Sequence, residues 1–112
     1  MLAIKDRNIA GVLRFIREHA CDGIDVSDAL KTVPLSRTLL DRNFIELVGR
    51  SPKAEILRVQ IDRARQLLTE TDLTMEDVAD RTGFRHTEYF CVAFKRETGK
   101  TPGQFRKHTR YH

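Results

Sequence analysis

One stretch of the chain, residues 85–96 (RHTEYFCVAFKR), combines hydrogen-bonding, basic and small apolar side chains at helical spacing. At roughly 100° per residue, Phe90, Ala93, Phe94 and Glu97 fall on one face of a helix. The opposite face carries polar and small side chains, namely Glu88, Cys91, Val92 and Lys95. Such a helix suits the DNA-reading member of a helix-turn-helix pair. Taken alone, the pattern also fits an ordinary amphipathic helix.

Catalytic and metal-binding chemistry finds little support in the residue types and their spacing. Cys21 and Cys91 make neither a disulfide framework nor a zinc site, because His19 near Cys21 has no second ligand pair at a metal-like spacing. An enzyme that uses one of these thiols as its nucleophile is an alternative hypothesis. No histidine–acid set and no glycine-rich phosphate loop accompany it. The sequence therefore predicts no catalytic residues, no metal and no cofactor.

The composition indicates a soluble globular chain of one domain, or of two very small ones that share an element. Of the 112 residues, 40% are hydrophobic and 32% are charged. No apolar run approaches the roughly 18 residues of a membrane span, and the first residues lack the apolar core of a secretory signal. The 20 Lys and Arg against 16 Asp and Glu permit a polyanionic partner. We therefore expect a cytoplasmic protein with no membrane contact.

Capping residues and apolar periodicity predict an all-α fold of about seven helices. The predicted helices lie at residues 6–19, just after Asp25, from Ser36 to about 48, from Ser51-Pro52 to about 71, from Thr74 to about 81, at 85–96 and from Thr101-Pro102 onward. The third helix is expected to bury Leu40, Phe44, Leu47 and Val48, and to end at Gly49. No segment shows sustained alternation of period two, so no strand is predicted.

The sequence also repeats itself at an offset of 50 residues. The coinciding positions include an aromatic residue, a glycine and a proline, in the pairs Phe44 and Phe94, Gly49 and Gly99, and Pro52 and Pro102. Each copy reads as a short helix, a tight turn, a longer helix and the start of a new helix. A helical bundle with coincidental periodicity and a helical solenoid are the alternatives, but a solenoid needs at least about three repeats.

The repeat predicts two helix-turn-helix subdomains on one linker helix. Residues 1–50 would hold an N-terminal helix and the first subdomain, residues 51–71 the linker helix, and residues 72–112 the second subdomain. The linker would span on the order of 28 Å. With each subdomain extending beyond its end, it can hold two reading helices about one DNA turn apart, near 34 Å.

With these features, residues 24–107 resemble the DNA-binding domain of AraC/XylS-type bacterial transcription regulators. The specific part is the pattern A-x3-GF-x4-YF-x3-FK-x3-G-x-TP-x2-FR, which begins at Ala79, and RA-x2-LL from Arg63 matches as well. IREHACDGIDV and VPLSRTLLDRNF are similar to the xylose operon regulators of that family. Three positions depart from the family pattern: Gln60 replaces a basic residue, Pro34 a turn glycine, and Arg85-His86 a small polar cap.

The resemblance implies sequence-specific binding of double-stranded DNA, with the second helix of each unit in one of two adjacent major-groove segments. By position, the expected base-contacting residues are Arg37, Thr38, Asp41, Arg42, His86, Thr87, Glu88, Cys91 and Val92. The expected phosphate-contacting residues are Ser36, Ser51, Lys53, Lys95, Arg96, Lys100, Thr101 and Arg106. The chemistry agrees, since arginine can pair with guanine, a carboxylate can accept from cytosine, and a methyl group can contact the thymine methyl.

The resemblance also implies partners outside this sequence. A sugar ligand would bind only through a separate domain that is absent here, and RNA polymerase is a conceivable second contact. We therefore expect the C-terminal domain of a longer sugar-responsive activator, or a short member of the family. The alternative from a different class is a helical protein-interaction module without base readout of its own.

Overall fold

The structure, a computed structural model, describes residues 4–111. The outermost ends of the predicted subdomains, residues 1–3 and 112, lie outside this range. The described chain forms seven α-helices: α1 (Ile4–His19), α2 (Val26–Leu30), α3 (Arg37–Val48), α4 (Pro52–Glu70), α5 (Met75–Arg81), α6 (Thr87–Thr98) and α7 (Pro102–Tyr111). A single 3-10 turn, Ala20–Asp22, follows α1. The all-α class and the number of helices are confirmed, and none of the described helices is long and apolar enough to span a membrane.

Local capping fixes where these helices begin and end. A capping box joins Asp25 and Asp28 at the start of α2, and the Ser36 hydroxyl accepts a hydrogen bond from the first turn of α3. α3 and α6 end at Gly49 and Gly99, whose φ angles of 93° and 84° are left-handed. A side chain would be strained there, which explains the glycine at both repeat positions.

The first compact unit consists of Ile24–Val59 and the described part of Met1–Ala20. α1 packs against α2 and α3, and it buries Ile9, Val12 and Ile16 in the same core as Leu40 and Phe44 of α3. The N-terminal helix therefore belongs to the core of this unit and supports α3. It precedes the repeated residues in the sequence.

The second compact unit comprises Cys21–Gly23 and Gln60–His112. α6 packs against α5 and α7 through a row of aromatic rings. The ring centroids of Phe84 and Phe90 are 5.2 Å apart, those of Phe90 and Phe94 5.8 Å, and those of Phe94 and Phe105 5.3 Å. These tilted and edge-on contacts hold α6 by one face only. α4 contributes to both units, and the division into residues 1–50, 51–71 and 72–112 stays a prediction.

Two residues predicted to face inward are exposed. Leu47 retains 47% of its accessible surface, and Glu97 is also exposed. Each follows the central phenylalanine of its helix, Phe44 or Phe94, by three residues, which places it about 60° from the centre of the buried face. The buried stripe is narrower than the sequence pattern indicates, because the helices packed against α3 and α6 do not cover this edge.

Candidate nucleic-acid interface

α3 carries the first predicted set of base-contacting residues on its exposed side. Arg37, Thr38 and Arg42 are exposed, and Asp41 is partly buried. The Nε atom of Arg37 lies 3.4 Å from the Oδ2 atom of Asp41, one turn further along the helix. This pair presents a guanidinium and a carboxylate side by side, while Phe44 anchors the opposite face in the core.

α6 carries the second predicted set in the same way. His86 and Glu88 are exposed, Thr87 and Cys91 are partly buried, and Val92 keeps 62% of its surface accessible. The structure thus brings all five side chains to the first two turns of one helix. Their polar, thiol and methyl groups can meet hydrogen-bonding and methyl groups on base edges.

The start of α6 differs from the start of α3. His86 occupies the N-cap position with extended backbone angles, and its side chain makes no capping hydrogen bond. In α3, by contrast, the Ser36 hydroxyl accepts from a backbone N–H. The first turn of α6 therefore lacks the side-chain acceptor that most helices have.

Three predicted phosphate-contacting hydroxyls cap helices. Those of Ser36, Ser51 and Thr101 each accept from the backbone N–H three residues on, at 3.1–3.2 Å. A hydroxyl that accepts in a cap keeps its own proton to donate to a phosphate oxygen. The basic candidates Lys53, Lys95 and Arg96 are exposed, and Lys100 is partly buried.

Arg106 has a contact inside the second unit. Its Nε atom donates to the carbonyl oxygen of Leu68, at the end of α4, over 3.1 Å. Its Nη2 atom is buried and, among the described residues, has no hydrogen-bond partner. The side chain therefore joins α7 to α4, and its predicted phosphate contact stays a prediction.

A family model described as a helix-turn-helix domain matches residues 30–108. These residues run from the end of α2 into α7 and include both α3 and α6. The chain belongs to the AraC-type family of helix-turn-helix DNA-binding domains.

The AraC-type domain is similar to curated xylose operon regulatory proteins. That of Escherichia coli K12 is 33% identical over 104 residues, which are 93% of this chain and 26% of the relative. That of Haemophilus influenzae is 29% identical over 104 residues, again 93% of this chain and 27% of the relative. The chain thus spans about a quarter of the length of these relatives, and the predicted similarity to xylose operon regulators is confirmed.

Solved AraC-type domains share the fold. The DNA-binding domain of AdpA, in complex with a target DNA, is 29% identical with a TM-score of 0.86, and the match covers 92% of this chain and 93% of that one. The C-terminal domain of AraT, a response regulator from Geobacillus stearothermophilus, has a TM-score of 0.87 at 22% identity, with 95% of this chain and 88% of that one covered. The second likeness concerns the fold alone.

Sequence reasoning missed a buried charge cluster in the first unit of the AraC-type domain. Glu55 of α4 is fully buried. Its carboxylate accepts hydrogen bonds from Arg58 at 2.7 and 2.8 Å and from Arg50 at 2.7 Å, and the Nε atom of Arg17 is 3.6 Å away. The spacing of Glu55 and Arg58 suits a helical ion pair, but nothing in the local sequence pattern indicates that the carboxylate is buried.

Arg58 and Arg50 keep Glu55 ionised. The hydrogen bonds from Arg58 lower the pKa of this carboxyl to about 2, against the opposing effect of burial, and the Arg50 guanidinium adds to the decrease. The cluster connects the end of α1, the turn between α3 and α4, and the first turns of α4. It therefore fixes the segment that begins with the predicted phosphate-contacting residue Ser51.

The two thiols have environments that disfavour the thiolate. Burial raises the pKa of Cys91, and Glu88 raises it further. Burial also raises the pKa of Cys21, with Arg63 acting in the opposite direction. A nucleophilic cysteine requires the reverse shift. Within residues 4–111, no group of three or more His, Cys, Asp or Glu residues could hold a metal ion.

Proposed function

We propose that this chain binds double-stranded operator DNA with sequence specificity and thereby regulates transcription of a bacterial operon. One observation carries the proposal. The same helix-turn-helix arrangement occurs twice, with α3 and α6 displaced by 50 residues, and each helix is buried along one face and exposed along the other. The likeness to the DNA-bound AdpA domain supports it.

In this proposal, α3 and α6 each enter one of two adjacent major-groove segments and read base edges. Arg37 or Arg42 would pair with the O6 and N7 atoms of guanine, Asp41 and Glu88 would accept from the amino group of cytosine, and Val92 would contact a thymine methyl. Thr38, His86, Thr87 and Cys91 would complete the two sets. The ion pair between Arg37 and Asp41 supports a joint role, because the carboxylate orients the guanidinium before DNA is bound.

Phosphate contacts would set the register of both helices. The capping hydroxyls of Ser36, Ser51 and Thr101 would donate to phosphate oxygens at helix starts, where the helix dipole also favours an anion. The basic residues Lys53, Lys95, Arg96, Lys100 and Arg106 would neutralise phosphate charge. Such contacts are independent of sequence, so they position the base-reading residues without adding specificity.

We also propose what kind of longer regulator would contain this chain. We propose residues 1–50, 51–71 and 72–112 as first reader, linker and second reader of the C-terminal part of a cytoplasmic, xylose-type activator without catalytic activity. A sugar would bind to another domain, and RNA polymerase is the further partner. The supporting observations are the similarity to xylose operon regulators over a quarter of their length and the raised thiol pKa values.

Selection of bound duplexes from a random pool, with the 112-residue chain, tests the proposal. We expect a consensus with two half-sites whose centres lie about 10–10.5 base pairs apart. We also expect affinity to fall steeply between about 50 and 200 mM salt, by on the order of 1000-fold or more if six or more phosphates are contacted. Equal binding of the selected and random duplexes would contradict base readout and favour the protein-interaction module.

A further inference from the structure

Ile45 is an exposed apolar residue on the base-reading side of α3. It keeps 49% of its surface accessible. It follows Thr38 by seven residues, Asp41 by four and Arg42 by three, so all four side chains lie on one side of the helix. Ile45 thus continues the predicted base-contacting set by one further turn.

The core of the first unit does not account for this isoleucine. The centre of the buried face lies at Phe44 and Leu40, both fully buried, and Ile45 is about 100° from Phe44 around the helix. Isoleucine is also a poorer helix former than the long polar residues Arg, Lys, Gln and Glu at an exposed position. Neither packing nor helix propensity favours an isoleucine here, whereas a contact with an apolar group outside the chain would.

The equivalent position of the second unit has a different chemistry. At an offset of 50 residues, Ile45 corresponds to Lys95, an exposed residue of α6. A lysine there is suited to a phosphate, but a branched alkyl group is not. In the major groove, the apolar group that base edges offer is the C5 methyl of thymine.

We infer that Ile45 is a specificity-determining residue that contacts the 5-methyl group of a thymine in the half-site read by α3. The inference rests on the proposed function, and it adds a residue that the sequence pattern did not single out. The inference concerns one methyl group of the DNA, so it can be tested by removing that group. Deoxyuridine differs from thymidine only by the absence of this methyl group.

The test uses the duplex selected from the random pool and a set of copies in which each thymine in turn is replaced by deoxyuridine. For the wild-type chain, we expect one replacement in the α3 half-site to weaken binding about fourfold, the effect of losing one buried methyl group. In Ile45→Ala, the same replacement should change affinity less than about 1.5-fold, because the contact is already gone. Leu47→Ala is the matched control, because Leu47 is equally exposed on the same helix but lies off the reading side.

Different outcomes would contradict the role of Ile45 and the proposed function. A wild-type chain that is insensitive to every replacement in the α3 half-site would overturn the role of Ile45. So would an Ile45→Ala variant that keeps the full fourfold effect, or a Leu47→Ala variant that loses it. Thermal melts of both variants verify that they are folded. If the pool yields no consensus at all, the proposed function itself has failed, and the role of Ile45 fails with it.

Discussion

At the scale of single residues, substitutions of the proposed base-contacting residues and of the proposed phosphate-contacting residues should affect DNA binding differently. Arg42 belongs to the proposed base-contacting set of α3, whereas Lys95 is a proposed phosphate-contacting residue in the last turn of α6. We expect Arg42→Ala to cost about 1–3 kcal/mol on the selected duplex and to relax specificity at one base pair. Lys95→Ala should weaken selected and random duplexes alike and reduce the salt slope by about one. Binding titrations at several salt concentrations measure both effects, and an equal loss on every duplex from Arg42→Ala would rule it out as a base reader.

At the same scale, the ionisation of Glu55 should make the stability of the fold depend on pH. Its pKa is about 2 in the folded chain, below its ordinary value of 4.5. The ionised carboxylate therefore stabilises the fold above about pH 4.5, and this contribution is lost as the pH falls toward 2. Glu55→Gln should lower the free energy of unfolding by about 1.5–3 kcal/mol at neutral pH.

Urea denaturation of the wild type and of Glu55→Gln between pH 7 and pH 2.5 tests whether the stabilising contribution of Glu55 is lost at low pH. The difference in the free energy of unfolding between the wild type and Glu55→Gln should be constant near neutral pH and should shrink steadily below pH 4.5. Glu46→Gln is the control, because Glu46 pairs with Lys5 at an exposed site, where solvent screens the ion pair and its loss should change stability little. If the difference in the free energy of unfolding grew as the pH fell, the arginines would not be stabilising the ionised form of Glu55.

At the scale of elements, α6 starts without a side-chain cap. His86→Ser should supply the missing acceptor and raise the free energy of unfolding by about 0.5–2 kcal/mol. The melting temperature should then rise by several degrees, since about 1 kcal/mol corresponds to roughly 4–8 °C in a domain of this size. Ser36→Ala, which removes the cap of α3, should produce a change of similar size in the opposite direction. An unaltered melt of His86→Ser would mean that solvent satisfies the first turn of α6 equally well.

The helices were predictable because their starts and ends depend on local residues. Ser36 and Gly49 act within one turn of the backbone they cap, so the bounds of α3 can be derived from the sequence. The exposure of Leu47 could not, because it depends on which other helix covers that edge. The contact of Glu55 with Arg17 of α1 and that of Arg106 with Leu68 also require partners that are distant in sequence. For the candidate site, the predicted base-contacting residues lie at the start and along the exposed sides of α3 and α6, because local periodicity determines the exposed side of a helix.

At the scale of the whole molecule, the two repeats share a helix that is continuous over 19 residues. An α-helix of that length measures roughly 28 Å and does not stretch. The spacing of the two half-sites on DNA should therefore be as important as their sequence. Insertion of about five base pairs between the half-sites turns one of them to the opposite side of the duplex. We expect this insertion to reduce affinity to that of a duplex with a single half-site.

A longer insertion distinguishes a rigid linkage, which we propose, from a flexible tether. About ten inserted base pairs return both half-sites to the same side but add about 34 Å between them, which is more than the length of α4. Binding to this duplex should remain as weak as to the five-pair insertion in gel-shift titrations. A flexible tether would instead restore much of the affinity. Recovery on the ten-pair duplex would therefore show that α4 bends or unwinds, and that the two helix-turn-helix units bind DNA as separately tethered readers.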